Sequence, residues 1–212
     1  MEKTILFDLD GTLTDSGEGI INCASMALAH YGIPVPDREA MRVFVGPPLH
    51  EMFVKFGIPD EKADEAVEVY RSRYNTIGKF ENAPYAGIPE LLERLRSEGY
   101  TLCIATSKPQ GVTEDILNHF DLFKYFHTVC GATEDRSRST KDKVIGYLLS
   151  MVSGNSEFVM VGDTHYDILG AKAHGIPGIG VSWGYGKVSD MVNAGAAAIA
   201  NTVEQLYDLL TK

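Results

Sequence analysis

Two aspartates, Asp8 and Asp10, follow the first apolar segment of the chain. That segment, Ile5–Phe7, is short and rich in residues that strands favour, and it predicts a buried strand that ends at the aspartates. Because side chains alternate along an extended chain, both carboxylates would project to the same side. Adjacent carboxylates repel unless a cation, a shared proton or solvent relieves them. One could then act as an ionised nucleophile and the other as a protonated general acid.

Later segments bring further polar groups to predicted strand ends and weigh against the alternative of a simple Asp-Gly turn. Thr106 and Ser107 follow a predicted strand over residues 101–105 and precede a helix, where a hydroxyl and free backbone N–H groups suit a phosphate. For Ser107 a plain helix N-cap is an equal alternative. Lys141 begins another predicted helix, and Lys143 offers the same charge two residues later. Neither lysine stands out without the other motifs.

A second pair of aspartates, Asp163 and Asp167, follows the predicted strand over residues 157–161. Asp167 falls in the first turn of the next helix, so it can reach the same side as Asp163. Both could serve only to cap and stabilise that helix. Four carboxylates at two strand ends, with a hydroxyl and a lysine from two more, are harder to explain as structure alone. Because these ligands are hard oxygen atoms, the set favours Mg²⁺ over zinc.

The elements that must position these groups follow two patterns. From Pro84 onward strands and helices alternate, which predicts a parallel sheet covered by helices on both sides. In such sheets ligands bind outside the carboxyl ends of the strands. Residues 16–83 have helical periodicity and predict four helices. The sequence therefore predicts an α/β core over residues 1–15 and 84–212, with a small helical domain inserted after the first strand.

Composition limits the classes of protein to consider. The 212 residues are 44% hydrophobic and 23% charged, which is typical of a globular domain. A net charge of −10 without a basic stripe argues against nucleic acid or an anionic membrane as the main partner. Cys23, Cys103 and Cys130 are widely spaced, which predicts reduced core thiols instead of a disulfide frame or zinc site. With neither a leader-like segment nor a membrane-length apolar run, we expect a cytoplasmic protein.

In their order along the chain, these motifs resemble those of the haloacid dehalogenase superfamily of phosphohydrolases. The resemblance is carried by Phe7–Thr12, Ala105–Pro109, Lys141, Gly162–Asp163 and Asp167, and it extends over essentially the whole chain. Within the superfamily the chain is similar to the phosphoglycolate phosphatase and 5′-nucleotidase-like group. This resemblance implies a Rossmann-like core with a helical cap that closes over the site, excludes water and selects the leaving group.

The resemblance also implies catalytic roles for the first two aspartates. Asp8 would be the nucleophile that becomes an aspartyl phosphate, and Asp10 the general acid and base. Physical chemistry supports these roles, because a phosphate dianion can approach an ionised carboxylate only if cations such as Mg²⁺ and Lys141 offset the repulsion. Asp10 would protonate the leaving oxygen and later deprotonate the attacking water.

Binding roles follow from the same resemblance. The residues expected to bind the transferring phosphate are Gly11, Thr106, Ser107 and Lys141. The residues expected to bind Mg²⁺ are Asp8, Asp10 through its backbone carbonyl, Asp163 and Asp167, the last either directly or through water.

The resulting expectation is a Mg²⁺-dependent phosphatase that hydrolyses a small soluble phosphomonoester, with a 5′-nucleotide or phosphoglycolate as leading substrates. A phosphomutase or a pyrophosphatase of the same superfamily would use the same nucleophile. A non-enzymatic phosphoacceptor module of the receiver type is a further alternative, although such modules lack an inserted cap. The expected partner is a small phosphorylated metabolite, with no nucleic acid polymer, membrane or obligate protein partner.

Overall fold

The computed structural model describes residues 3–135, 137–152 and 157–212. The chain divides into two compact units. The core unit contains the residues up to Thr14 together with Pro84–Lys212, and the inserted unit is Asp15–Ala83. The sequence predicted an insertion over residues 16–83, and its role as a cap stays a prediction.

The inserted unit is helical. Its α-helices are α1 (Gly17–His30), α2 (Arg38–Met41), α3 (Leu49–Lys55) and α4 (Asp60–Tyr74). A short 3₁₀ turn, Arg42–Phe44, follows α2, and another, Gly78–Phe80, follows α4. Aromatic rings fill its interior, with the Phe44 ring 5.4 Å from Phe53 and 4.8 Å from Phe56. Tyr70 and Tyr74 stack at 5.0 Å along α4. Burial of these side chains gives the unit a hydrophobic core of its own.

The core unit alternates strands and helices. Its strands are β1 (Lys3–Phe7), β2 (Thr101–Pro109), β3 (Thr128–Ala132), β4 (Glu157–Gly162), β5 (Gly178–Val181) and β6 (Ala198–Ala200). Its α-helices are α5 (Ile88–Ser97), α6 (Gln110–His119), α7 (Lys141–Met151), α8 (His165–Lys172), α9 (Val188–Ala194) and α10 (Val203–Leu210). The strands form one sheet in the order β3-β2-β1-β4-β5-β6, and every neighbouring pair is parallel. The α/β parallel sheet predicted from the sequence is confirmed.

Both faces of the sheet are buried, as parallel sheets require. Ile5 and Phe7 of β1 face a cluster that includes residues of α5, α6 and α10. Leu6, between them, faces the opposite cluster, to which α7 contributes Val144 and Leu148. Because successive side chains of β1 point to opposite faces, the strand packs against helices on both sides of the sheet. It lies inside the sheet, between β2 and β4.

Two elements differ from the sequence prediction. Strand β2 continues past Ala105 to Pro109, with a register irregularity against β3 between these two residues. Helix α9 was not predicted, because it has only seven residues and begins shortly after a glycine-rich segment. The extension of β2 matters for function because it carries Thr106 and Lys108 beyond the edge of the regular sheet.

The three cysteines, Cys23, Cys103 and Cys130, are buried and carry free thiols, as predicted. Among the described helices, none combines the length and the apolar character needed to cross a bilayer.

Candidate active site

The carboxyl ends of the central strands bring the predicted site residues together. β1 ends at Phe7, and the backbone N–H of Asp8 donates to the carbonyl of Val161 on β4 at 2.9 Å. This bond extends the β1–β4 pairing by one residue, so Asp8 is held against the strand that leads to Asp163. Because neighbouring strands are parallel, residues separated by most of the chain meet at one edge of the sheet.

Three carboxylates form a buried cluster at this edge. Asp8, Asp163 and Asp167 each place an oxygen so that all three atoms lie within 4.8 Å of one another. The residues are 8%, 1% and 0% exposed. Buried charges are stable only when they are paired or bound to a cation. The cluster therefore requires positive charge.

Lys141 supplies part of that charge. Its Nζ lies 2.7 Å from Oδ1 of Asp8 and 2.7 Å from Oδ1 of Asp167, and it donates to the carbonyl of Ala105 at 3.0 Å. Burial opposes its positive charge, but Asp167 and Asp8 outweigh that effect and raise the pKa of Lys141 above its ordinary value. Lys141 is thus a permanently charged bridge between the two aspartates, while Lys143 is exposed.

One lysine does not neutralise the cluster. Burial raises the pKa of Asp8 to about 6, although Lys141 acts in the opposite direction. Burial also raises the pKa of Asp163 to about 8, and the charges of Asp167 and Asp8 add to the effect. Without a cation, burial and mutual repulsion therefore favour a proton on this cluster, and a divalent cation would displace it.

The donor set fits Mg²⁺. All three clustered groups are carboxylates, the hard oxygen ligands that Mg²⁺ prefers, and the described residues within the cluster contribute no thiolate or imidazole. Asp167 already has a partner on each oxygen, because Oδ1 is paired with Lys141 and Oδ2 accepts from the N–H and hydroxyl of Thr164 at 3.0 and 2.8 Å. Of the two roles predicted for Asp167, this geometry favours binding through water.

Asp10 lies outside the carboxylate cluster. Its Oδ2 is 2.6 Å from Nζ of Lys108, and both side chains are largely buried. Its Oδ1 is buried and has no hydrogen-bond partner among the described residues. The sequence predicted that Asp8 and Asp10 need relief from mutual repulsion, and in the structure each carboxylate has an ammonium partner of its own. A role for the Asp10 carbonyl as a metal ligand stays a prediction.

The residues predicted to bind phosphate differ in their surroundings. Thr106 is buried, and its hydroxyl is hydrogen-bonded to Asp8 and accepts from the N–H of Lys108 at 3.3 Å. Ser107 is exposed, since it points to the opposite side of extended β2. Gly11 uses its N–H in a bond to the carbonyl of Thr14 at 2.8 Å. Thr106 and Lys141 therefore contact Asp8 directly, and phosphate binding by all four residues stays a prediction.

Sequence reasoning missed the roles of three residues at the site. Lys108 was quoted within a motif but given no role, although its two-residue spacing from Thr106 on an extended strand would have placed both on the same side. Thr12 and Tyr185 were also missed, and both donate hydrogen bonds to Asp163. No signal in the sequence pairs them with Asp163, because the contact of Thr12 depends on how β1 lies beside β4 and that of Tyr185 on how β5 lies beside β4.

The arrangement defines a class of protein: an α/β enzyme with a buried acidic cluster at the carboxyl edge of a parallel sheet. Residues 5–181 match the haloacid dehalogenase-like hydrolase family. The chain belongs to this family. The family, the fold and the phosphatase class that the sequence predicted are confirmed.

Several relatives align over nearly the full chain. A 5′-nucleotidase of Pseudomonas aeruginosa is 42% identical over 189 residues, which cover 88% of this chain and 86% of that protein. A protein named tyrosine-protein kinase PtkA from Mycobacterium tuberculosis is 40% identical over 98% of this chain and 72% of its own length. A solved structure described as a predicted phosphatase from Clostridium acetobutylicum is 39% identical, with a TM-score of 0.93 over 100% of this chain and 99% of that one.

Proposed function

We propose that this protein is a Mg²⁺-dependent phosphatase that hydrolyses a small soluble phosphomonoester through an aspartyl phosphate on Asp8. The observation that carries the proposal is the buried cluster of Asp8, Asp163 and Asp167, with Lys141 paired to two of its members. Such a cluster costs stability unless it binds a cation. Clusters of this kind are typical of functional sites. A 5′-nucleotide or phosphoglycolate is the leading substrate, and the 5′-nucleotidase relative favours the first.

In the first step an oxygen of Asp8 attacks phosphorus and the bond to the leaving oxygen breaks. Lys141 and Thr106 lie against Asp8, where they can hold the equatorial phosphate oxygens. Asp8 and Asp163 would hold Mg²⁺, with Asp167 acting through water, and the ion would offset the charge of the phosphate. Asp8 is only 8% exposed, which would limit the access of bulk water to it.

Asp10 moves the proton in both steps. Lys108 occupies Oδ2 of Asp10, which leaves Oδ1 as the oxygen able to donate a proton to the departing alkoxide. In the second step a water attacks the aspartyl phosphate, its proton returns to Asp10, and the phosphorus–Asp8 bond breaks. The net reaction consumes one water and releases one alcohol and one inorganic phosphate.

The inserted unit is proposed as the cap that selects the leaving group. Its own hydrophobic core makes it a separately folded helical body, as a closing element must be.

The test is phosphate release by purified protein from a panel of 5′-nucleotides, phosphoglycolate, pyrophosphate and an aryl phosphate, with Mg²⁺ or with EDTA. Asp8→Asn should lower turnover by about 10³-fold or more, because it removes the nucleophile. Asp208→Asn, which changes an exposed residue of α10, is the matched control and should behave as the wild type. Wild-type turnover by Asp8→Asn, or full activity in EDTA, would contradict the proposal.

Two other outcomes would redirect it. Stoichiometric labelling of Asp8 without sustained phosphate release would indicate a receiver-type phosphoacceptor, and transfer to a second sugar hydroxyl would indicate a mutase. The name of the mycobacterial relative suggests a further measurement, transfer of label from ATP to protein tyrosine. Asp10→Asn should slow the second step and accumulate the phosphorylated intermediate in a phosphatase.

A further inference from the structure

The turn that follows β5 packs against Asp163. The backbone N–H of Tyr185 donates to Oδ2 of Asp163 at 2.8 Å. On the other side of the same carboxylate, the hydroxyl of Thr12 donates to Oδ1 at 3.3 Å. Each oxygen of Asp163 thus has one donor, and the two donors come from different parts of the chain, the turn after β1 and the turn after β5.

Trp183 joins these two turns. Its Nε1 donates to the backbone carbonyl of Thr12 at 3.1 Å. The rings of Trp183 and Tyr85 pack in a T-shaped arrangement, with their centroids 6.5 Å apart. The bond fixes the backbone of Thr12, whose side chain bonds Asp163. It is the chain's sole tryptophan.

Gly184 lets the turn approach closely. A Cβ on Gly184 would lie 2.3 Å from both Cβ and Oδ2 of Asp163 and 2.5 Å from the carbonyl oxygen of Gly11. The backbone oxygen cannot move away as a flexible side chain could. Any residue other than glycine would therefore push the turn after β5 away from Asp163.

We propose that Thr12, Trp183, Gly184 and Tyr185 form a cradle of positioning residues that fixes the carboxylate of Asp163 for a divalent cation. Hydrogen bonds to a metal-binding side chain orient it, and their loss typically costs about 10–100-fold in metal affinity. The inference rests on the proposed metal-dependent function. It adds that affinity for the metal depends on a turn after β5 that offers no ligand of its own.

The decisive variant pair is Thr12→Val and Thr12→Ser. Valine keeps the shape of threonine without its hydroxyl, so Mg²⁺ affinity should fall by about tenfold. Serine keeps the hydroxyl, and it should restore most of the affinity. Calorimetric titration with Mg²⁺ in the absence of substrate measures binding directly, and the KM for an aryl phosphate at saturating Mg²⁺ should stay unchanged in both variants.

Two further variants probe the turn after β5. Trp183→Phe keeps an aromatic ring but removes the N–H donor, so it should weaken Mg²⁺ binding less than Thr12→Val does. Gly184→Ala should weaken it most, by about 100-fold. Gly111→Ala is the matched control, because a Cβ at Gly111 meets nothing within 4 Å. If Gly184→Ala does not fold, the pair at Thr12 still decides the question.

The outcomes separate the two proposals. Mg²⁺ binding by Thr12→Val within twofold of the wild type would overturn the cradle and leave the proposed function intact. A lack of Mg²⁺ binding by the wild-type protein would overturn the metal-dependent function and the cradle with it. Weaker binding by Thr12→Val with recovery in Thr12→Ser supports both.

Discussion

Two buried lysines lie at the site, and they differ in how many aspartates each one pairs with. Lys141 is shared by Asp8 and Asp167, and its first helical position on α7 points it into the carboxylate cluster. Lys108 comes from the extended end of β2 and is paired with Asp10. The side chains of the two lysines are 5% and 6% exposed, so burial alone does not distinguish them.

The difference lies in what each lysine would leave behind. Without Lys141, two buried carboxylates face each other with less positive charge, which costs stability as well as activity. Without Lys108, Asp10 loses the partner that decides which of its oxygens is available. One lysine mainly neutralises charge and the other mainly orients a group. Four measurements test this difference between the two lysines.

Lys141→Ala should have the largest effect. Turnover should fall by about 10²–10³-fold, because the variant lacks a cation at the transferring phosphate. In EDTA the free energy of unfolding should fall by about 3–5 kcal/mol, the usual cost of breaking a buried ion pair from one side. Urea denaturation and steady-state kinetics measure the two effects. Exposed Lys143→Ala is the control, and a larger loss there would reassign the lysine.

Lys108→Met should lower kcat by about 10–100-fold with little change in KM, because the stem still packs while Asp10 loses its orienting partner. Stability should change less than in Lys141→Ala. Lys124, which pairs with Asp121 at the surface, provides the control Lys124→Met. A rise in KM with unchanged kcat would show that Lys108 binds substrate and does not orient Asp10.

Removing Mg²⁺ should expose the charge that Lys141 leaves unbalanced. The pKa of Asp163 is raised to about 8 by burial and by Asp167 and Asp8. The folded state therefore holds a proton that the unfolded state releases near pH 4, so metal-free stability should fall as pH rises from 4 to 8. Because Mg²⁺ competes with that proton, it should raise Tm more at pH 8 than at pH 6.

At a concentration of 100 times its Kd, Mg²⁺ should raise Tm at pH 8 by about 5–10 °C. Differential scanning calorimetry at both pH values measures the difference. The variant Asp163→Asn lacks this titrating group, so its metal-free stability should depend less on pH between pH 6 and pH 8. An equal Mg²⁺ shift at pH 6 and pH 8 in the wild type would contradict the assignment.

His50 provides the smallest effect and an exposed counterpart to Lys141. It also lies between two carboxylates, with Nδ1 2.9 Å from Asp64 and Nε2 3.1 Å from Asp60. Hydrogen bonds to Asp64 and Asp60 raise its pKa, so its stabilising effect is present below pH 6.5 and is lost as pH rises. Because the pairs are solvated, His50→Gln should lower Tm by less than about 2 °C at pH 5.5 and by less at pH 8. A loss of stability as large as that of Lys141→Ala would show that burial does not determine how much a cation between two carboxylates stabilises the protein.

The sequence predicted those parts of the site that follow from strand alternation and parallel topology. Asp8, Asp163 and Lys141 stand directly at the ends or beginnings of well-patterned elements, so a parallel sheet brings them to one edge. The order of the motifs was sufficient to predict the family, and the resemblance to the family implied the Rossmann-like core.

The remaining features depend on contacts that no local pattern encodes. A buried lysine and a surface lysine have the same letter, so the pairing of Lys108 with Asp10 became visible only with the extension of β2 past Ala105. The contact of Trp183 with Thr12 joins turns that are 171 residues apart. Helix α9 was not predicted because it is short and the glycines before it favour a turn.

The central place of β1 in the sheet has a consequence for synthesis of the protein. Its neighbours are β2 and β4, and Thr12 meets Asp163 across 151 residues of chain. At translation rates of about 5–20 residues per second, those residues take about 8–30 s to emerge from the ribosome. A nascent chain therefore carries Asp8 long before Asp163 and Asp167 can complete the carboxylate cluster, which forms only after most of the chain has been made.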